Sequence, residues 1–178
     1  PRRTVTCDGA DLHLPLAPGS DVALFNGLLN HIAESGHIDP EWVAAHANGL
    51  HAALDVAKAG AAQTAKITTL AETDLQAFYD LFVSTERVMT VFSQGVNQSS
   101  SGTDKVNAII NCHLATARIG RPGMGPFSVT GQPNAMGGRE VGGLANQLAA
   151  HMGFDNPAHI DRVSRFWNAA NMAARPGL

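Results

Sequence analysis

The sequence predicts an α/β fold, a helix-rich chain with a partial, mostly parallel sheet flanked by helices. Apolar residues recur at three- and four-residue spacing over several stretches, the stripe of an amphipathic helix. One run, Val88 to Ser93, is mostly apolar on both faces, as a covered parallel strand requires. Strand-like and helix-like segments alternate along the chain, the order expected of a parallel sheet with helical crossovers. Helix outweighs strand, so the sheet is expected to be completed by further chain.

The elements follow in order. Leu12, Leu14 and Leu16 alternate with His13 and Pro15, which predicts a short half-buried strand, held to an edge by Pro15. Pro18-Gly19-Ser20-Asp21 forms a turn. Ser20 reads as an N-cap, and Asp21 falls in the first helical turn, where the macrodipole favours a carboxylate. Leu24, Leu28 and Ile32, widened by Phe25 and Leu29, then give a helix ending near Ser35-Gly36. Asp39-Pro40 restarts a helix, with Asp39 as cap and Pro40 at the first helical position. Residues 50–68 are alanine-rich and helix-permissive, with an interruption at Gly60. A helix over 71–83 buries Leu75, Phe78, Leu81 and Phe82.

After the strand at 88–93, the segment Gln94 to Gly102 leads into a helix over 103–117. Val106, Ile109, Ile110, His113 and Leu114 are expected on its inner face. Residues 118–140 read as irregular, punctuated by glycines from Gly120 to Gly138 and by Pro122, Pro126 and Pro133. Ordered loops of that length are uncommon and usually functional. Phe127, Val129 and Met136 are buried-type residues that a plain linker lacks. Asn156-Pro157 opens a last helix, expected to run to about residue 170.

Composition sets the bounds. The 178 residues suit a single unit, taken as one piece over 1–178. At 44% apolar the chain can build a core. A net charge of -3, with scattered cations, gives no basic stripe for nucleic acid. Cys7 and Cys112 make no CxxC and no disulfide framework, which suits a reduced, cytoplasmic chain. No apolar run approaches the roughly 18–20 residues that span a bilayer. The opening Pro1-Arg2-Arg3-Thr4 lacks an initiator Met and a signal sequence, so the chain is expected to be internal to a longer one.

In open α/β sheets, ligands bind beyond the carboxyl ends of strands. Two strand-to-helix joints fit, Pro18 to Asp21 and Gln94 to Gly102. Both carry small residues and polar side chains ahead of a helix whose free N–H groups suit phosphate. Neither is a GxGxxG or Walker loop. The two acceptor oxygens of Asp21 could meet the paired donors of a guanine edge; the residues alone favour the plainer reading, that Asp21 decorates a helix N-terminus. Arg139 ends a glycine-rich loop, and its planar fork matches a planar oxyanion; the competing reading is a salt bridge with Glu140 or another carboxylate. The eight histidines form no metal signature, with no HExxH and with His46 and His51 five apart. No GxSxG is present.

The segments Gln94 to Gln98, Gly102-Thr103-Asp104 and above all Gly120 to Gly143, with Asn134-Ala135-Met136-Gly137-Gly138-Arg139 at its heart, resemble bacterial nitrate reductase catalytic subunits. These belong to the molybdopterin-guanine-dinucleotide oxidoreductases, and the wording is closer to the assimilatory, cytoplasmic branch. The resemblance implies a molybdenum ion held by two molybdopterin guanine dinucleotides, plus an iron–sulfur cluster in the parent enzyme that this chain does not ligate. It implies reduction of nitrate to nitrite, with the remaining domains of the same chain and an electron donor as partners. Carried over by position, Arg2, Gly19, Ser20, Asp21, Gln94 and Gln98 would contact the cofactor, and Arg139 would orient nitrate. The family's cysteine cluster and molybdenum-ligating cysteine have no counterpart here, so the chain alone is expected to be inactive. The rival readings are another molybdopterin oxidoreductase, such as a formate dehydrogenase, and a non-catalytic nucleotide-binding module.

Overall fold

The long helix α2 (Asp21–Glu34) forms because Leu24, Leu28, Leu29 and Ile32 share one side, and all four are buried. In the computed structural model, which describes residues 2–58, 60–131, 133–143 and 146–176, the chain forms two compact units, Pro1–Val129 and Thr130–Leu178. Pro1 and Gln132 of the quoted segments, and Ala59 of the alanine-rich stretch, lie outside the described residues.

In the first unit a short α1 (Val5–Asp8) precedes α2. Helices α3 (Pro40–His46), α4 (Leu50–Ala57), α5 (Ala61–Thr68) and α6 (Glu72–Ser84) follow. Asp39 caps α3 by accepting from the Trp42 N–H at 2.9 Å, and Gly60 separates α4 from α5, both as the sequence predicts. Strand β1 (Met89–Phe92), the one-turn α7 (Gln94–Asn97), α8 (Gly102–Ala115) and β2 (Gly125–Ser128) complete the unit. The two strands pair in parallel, Met89 opposite Gly125 and Phe92 opposite Ser128, so β1-α7-α8-β2 is one crossover unit. Among the described residues no helix is long and apolar enough to cross a membrane.

The core lies between α2 and the helices around it. Helix α2 packs on α8 along one side and on α4, α5 and α6 along others. Its approach to α5 and α6 is close because residue 27 is glycine. A Cβ there would meet the Tyr79 hydroxyl, and Thr64 Oγ1 at 2.7 Å. The Tyr79 hydroxyl donates to the Leu24 carbonyl at 3.3 Å, and burial pushes the phenol up to about 12. On α8, Cys112 sits fully buried with its Sγ donating to the Phe25 carbonyl at 3.2 Å. Burial pushes that thiol far above the ordinary cysteine range, so it behaves as a small apolar residue.

Several expectations are corrected. Residues 12–17 form no strand: among the described residues no neighbouring strand offers them a ladder, and Leu14 and Leu16 pack against the core instead. Ser20 stands at the N-cap position of α2, but its hydroxyl donates back to the Ala17 carbonyl at 2.7 Å and does not cap. On α6, Leu81 is exposed and Tyr79 is buried in its stead, because its hydroxyl finds an acceptor inside. The inner face of α8 is turned from the expected one. Ile109 and His113 are buried as predicted, while Val106, Ile110 and Leu114 are half-buried. The small Ala108, Cys112 and Ala115 face inward, which lets α2 come near. Strand β1 is covered on one face only, with Met89 and Val91 exposed. The stretch 118–140 holds β2 and a further helix, where irregular chain is expected from its glycines and prolines.

Two buried polar side chains hold the sheet to the helices. Arg118 donates to the carbonyls of Phe82 at 2.9 Å and Thr85 at 2.5 Å, and its guanidinium lies 4.8 Å from the Phe82 ring centroid. His113 is fully buried, edge-on to Phe82, with Nε2 2.8 Å from the Thr90 hydroxyl.

In the second unit, Asn134 caps α9 (Ala135–Glu140) by accepting from the Gly137 N–H at 3.2 Å. A short 3-10 turn, Ala149–His151, and α10 (Pro157–Trp167) follow. Helix α10 opens at Asn156-Pro157 as predicted, with Asn156 as its cap, and ends three residues before the expected 170. A groove of about 360 Å3 is lined by Val141, Met152, Val163, Phe166 and Trp167, among others.

Two outcomes test this packing. Burial first, and the Arg118 charge second, hold His113 down at about 4, below the ordinary 6.5. Protons therefore bind the unfolded chain more readily, and the contribution to stability, complete above pH 6.5, is lost as pH falls towards 4. About 2 kcal/mol is lost by pH 5. Urea unfolding at pH 7 and pH 5 measures this, and equal slopes in the parent and in His113→Gln would exclude His113 as the cause. Gly27→Ala drives a methyl into Tyr79 and Thr64 and is expected to cost about 1–3 kcal/mol. An unchanged melting temperature would mean that the crossing has slack.

Candidate functional site

The parallel strands end together, at Phe92 and Ser128, and the chain beyond β1 builds one wall of the candidate site. Helix α7 begins two residues after β1, and its Asn97 Nδ2 donates to Ser128 Oγ at 3.0 Å, tying it to the end of β2. The start of α8 is pressed against α7. A Cβ on Gly102 would lie 2.8 Å from the Val96 carbonyl oxygen and 3.2 Å from that of Asn97. Within this joint Gln94 is half-buried, Gly95 and Gln98 are exposed, and the Gln98 N–H donates to the Gln94 carbonyl at 2.9 Å. With four residues, α7 has no useful macrodipole, and the polar side chain this joint exposes is the amide of Gln98.

The other joint is the turn before α2. Gly19 takes φ +86°, which an L side chain rarely adopts, and the space beside its Cα is open. Ser20 is buried, and Asp21 is the first residue of a fourteen-residue helix with its side chain one-quarter exposed.

One residue unites these joints. Lys105, on the first turn of α8, is buried, and its Nζ lies 2.8 Å from Asp21 Oδ2 and 3.3 Å from the Gly95 carbonyl oxygen. The sequence reading missed it. Its signal was spacing: Lys105 stands four residues before Ile109 and seven before Cys112, on the stripe that α8 buries.

The remaining candidates belong to other segments of the chain. Arg2 is exposed on the segment leading into α1. Arg139 belongs to the second unit, on the last turn of α9, with an exposed side chain. Its carbonyl accepts from Gln147 Nε2 at 3.1 Å. The expected alternative, a salt bridge from Arg139 to Glu140, is not formed, since Glu140 pairs with His151 at 2.7 Å.

The donor set decides what kind of group can be held. A carboxylate–ammonium pair, the exposed amide of Gln98 and a left-handed glycine turn suit the polar arms of an organic ligand. Among the described residues no cluster of three His, Cys, Asp or Glu could hold a metal ion.

Residues 1–174 match the family model described as molybdopterin oxidoreductase. The chain belongs to this family. It is 52% identical over 179 residues to a nitrate reductase of Klebsiella oxytoca, covering 100% of this chain and 20% of that protein. It is 47% identical to a nitrate reductase of Shewanella frigidimarina, covering 100% and 19%. It is 31% identical to the assimilatory nitrate reductase catalytic subunit of Bacillus subtilis, covering 94% and 24%. The chain thus spans about a fifth of the length of the first two relatives. Among solved structures, acetylene hydratase from Pelobacter acetylenicus superposes with a TM-score of 0.63 at 22% identity, over 68% of this chain and 17% of that one, a likeness of fold. Family membership implies a molybdenum–molybdopterin cofactor, and the donor set fits the organic part of that group.

The tight α7–α8 joint gives a test. Gly102→Ala must push the backbone of Val96 and Asn97 away, and is expected to lower stability by about 1–3 kcal/mol. Thermal unfolding measures it, and a neutral result would show that the joint is free to shift.

Proposed function

We propose that this chain is the part of a nitrate reductase catalytic subunit that holds the organic arms of its molybdenum cofactor and presents an arginine to nitrate. The observation that carries the reading is the Lys105 bridge, which makes two joints, far apart in sequence, border one place beyond the ends of a parallel sheet. In this reading the cofactor is the bis-molybdopterin guanine dinucleotide form. Gly19, Ser20 and Asp21 meet one guanine-bearing arm, with Asp21 accepting from the two donors of the guanine edge. Gln94 and Gln98 face the pterin side, and Arg2 meets the cofactor from the segment before α1. The high identity to nitrate reductases along the whole chain supports nitrate as the substrate.

When bound, the cofactor supplies the two-electron redox chemistry; nitrate takes two electrons and two protons and leaves as nitrite and water. The work of this chain is placement. The guanidinium of Arg139 offers a planar, permanently charged fork to a planar anion, lowering the entropic cost of encounter. The remaining domains of the polypeptide are its partners, and they carry the iron–sulfur cluster that passes electrons from the donor. The relatives named as assimilatory favour a cytoplasmic setting.

The test uses the full-length polypeptide with a chemical reductant, assayed with nitrate and with formate. Nitrate-dependent turnover supports the reading, and formate turnover without nitrate turnover replaces it with a formate dehydrogenase. Arg139→Ala is expected to raise the nitrate KM or lower kcat by about tenfold or more, with molybdenum content unchanged. Kinetics equal to the parent would remove Arg139 from the mechanism.

A further inference from the structure

Lysine is an odd choice where Lys105 stands. Its side chain is 5% exposed on the buried stripe of α8, so its ammonium is taken out of water and cannot itself reach far towards a ligand. A well-packed apolar residue commonly serves stability as well as or better than a buried ion pair. The lysine must therefore serve geometry. Its two acceptors come from the two different joints, Asp21 from the turn before α2 and the Gly95 carbonyl from α7.

We infer that Lys105 is a positioning residue: its ammonium orients the Asp21 carboxylate and pins it to the Gly95 carbonyl, so that both joints meet a guanine-bearing ligand in one set geometry. The inference rests on the reading of Asp21 given above. A carboxylate has about four lone-pair sites. Lys105 engages Oδ2, which fixes the rotamer of Asp21 and leaves capacity for a two-donor edge on its exposed side. The ammonium also balances the negative charge of Asp21, so a phosphate arm can pass the same rim without facing an uncompensated carboxylate. Lys105 acts through Asp21 and not on the ligand directly.

The test is a double-mutant cycle in the full-length polypeptide, comparing Asp21→Asn, Lys105→Met and the combined variant. The readout is the guanine nucleotide liberated by acid per mole of purified, folded protein, with thermal unfolding alongside. All three variants are expected to carry at least fivefold less guanine than the parent, and the combined variant no less than Asp21→Asn alone. Lys105→Met with parental guanine content, while Asp21→Asn is depleted, overturns the inference and leaves the reading of Asp21 standing. Parental guanine content in Asp21→Asn sinks that reading itself. Should Lys105→Met not accumulate as folded protein, the combined variant decides, since it holds no unpaired charge. Guanine content within twofold of Asp21→Asn supports action through Asp21, and a value fivefold lower overturns it.

Discussion

The crossing of α2 with its neighbours governs the first unit. One helix is shared by four others, and it can be shared only because residue 27 has no side chain and because α8 offers Ala108, Cys112 and Ala115 to its other flank. Close approach along that seam brings the first turns of α2 and α8 within reach of a single lysine. The same contact that buries Leu28 and Ile32 therefore sets the distance between two loops that lie about seventy residues apart in sequence. Packing and site are one geometric problem here, and a change in the seam propagates to both.

Much of the fold was legible where side-chain chemistry acts locally. Asp39-Pro40 and Asn156-Pro157 announce their helices because a cap and a fixed φ need no distant partner. The apolar spacing of α2 and the β1 run were equally plain. What the sequence hid depends on partners. Strand β2 contains Pro126 and lies among glycines, yet proline is tolerated in a strand with an open edge, and its pairing with Thr90 is settled by the crossover rather than by local preference. The predicted strand at Leu12 to Leu16 has the right alternation and no ladder to join.

The elements of the candidate site were half legible for the same reason. Joints ahead of helices could be picked out by their small and polar residues, and the carboxyl-end rule placed Gln94 to Gly102 correctly at the end of the sheet. Lys105 went unremarked because a lysine in a helix reads as solvent-facing unless the buried stripe is known to pass through it. Arg139 stood out by its loop; it is exposed, and its neighbour Glu140 is occupied by His151.

Arg118 has a consequence for strand alignment. In most sheets the alternation of buried and exposed side chains forbids a slip of one residue. Here the outer face of the pair carries Met89, Val91 and Phe127 in the open, so that penalty is weak. The guanidinium takes over the task. It leaves the chain just after α8, on the way into β2, and grips two carbonyls at the end of α6, on the way into β1. Both strands are thus launched from a common anchor, and their offset is fixed before the first ladder bond, from Gly125 to Val88, is made. A single cationic fork does for this sheet what a covered second face does for others.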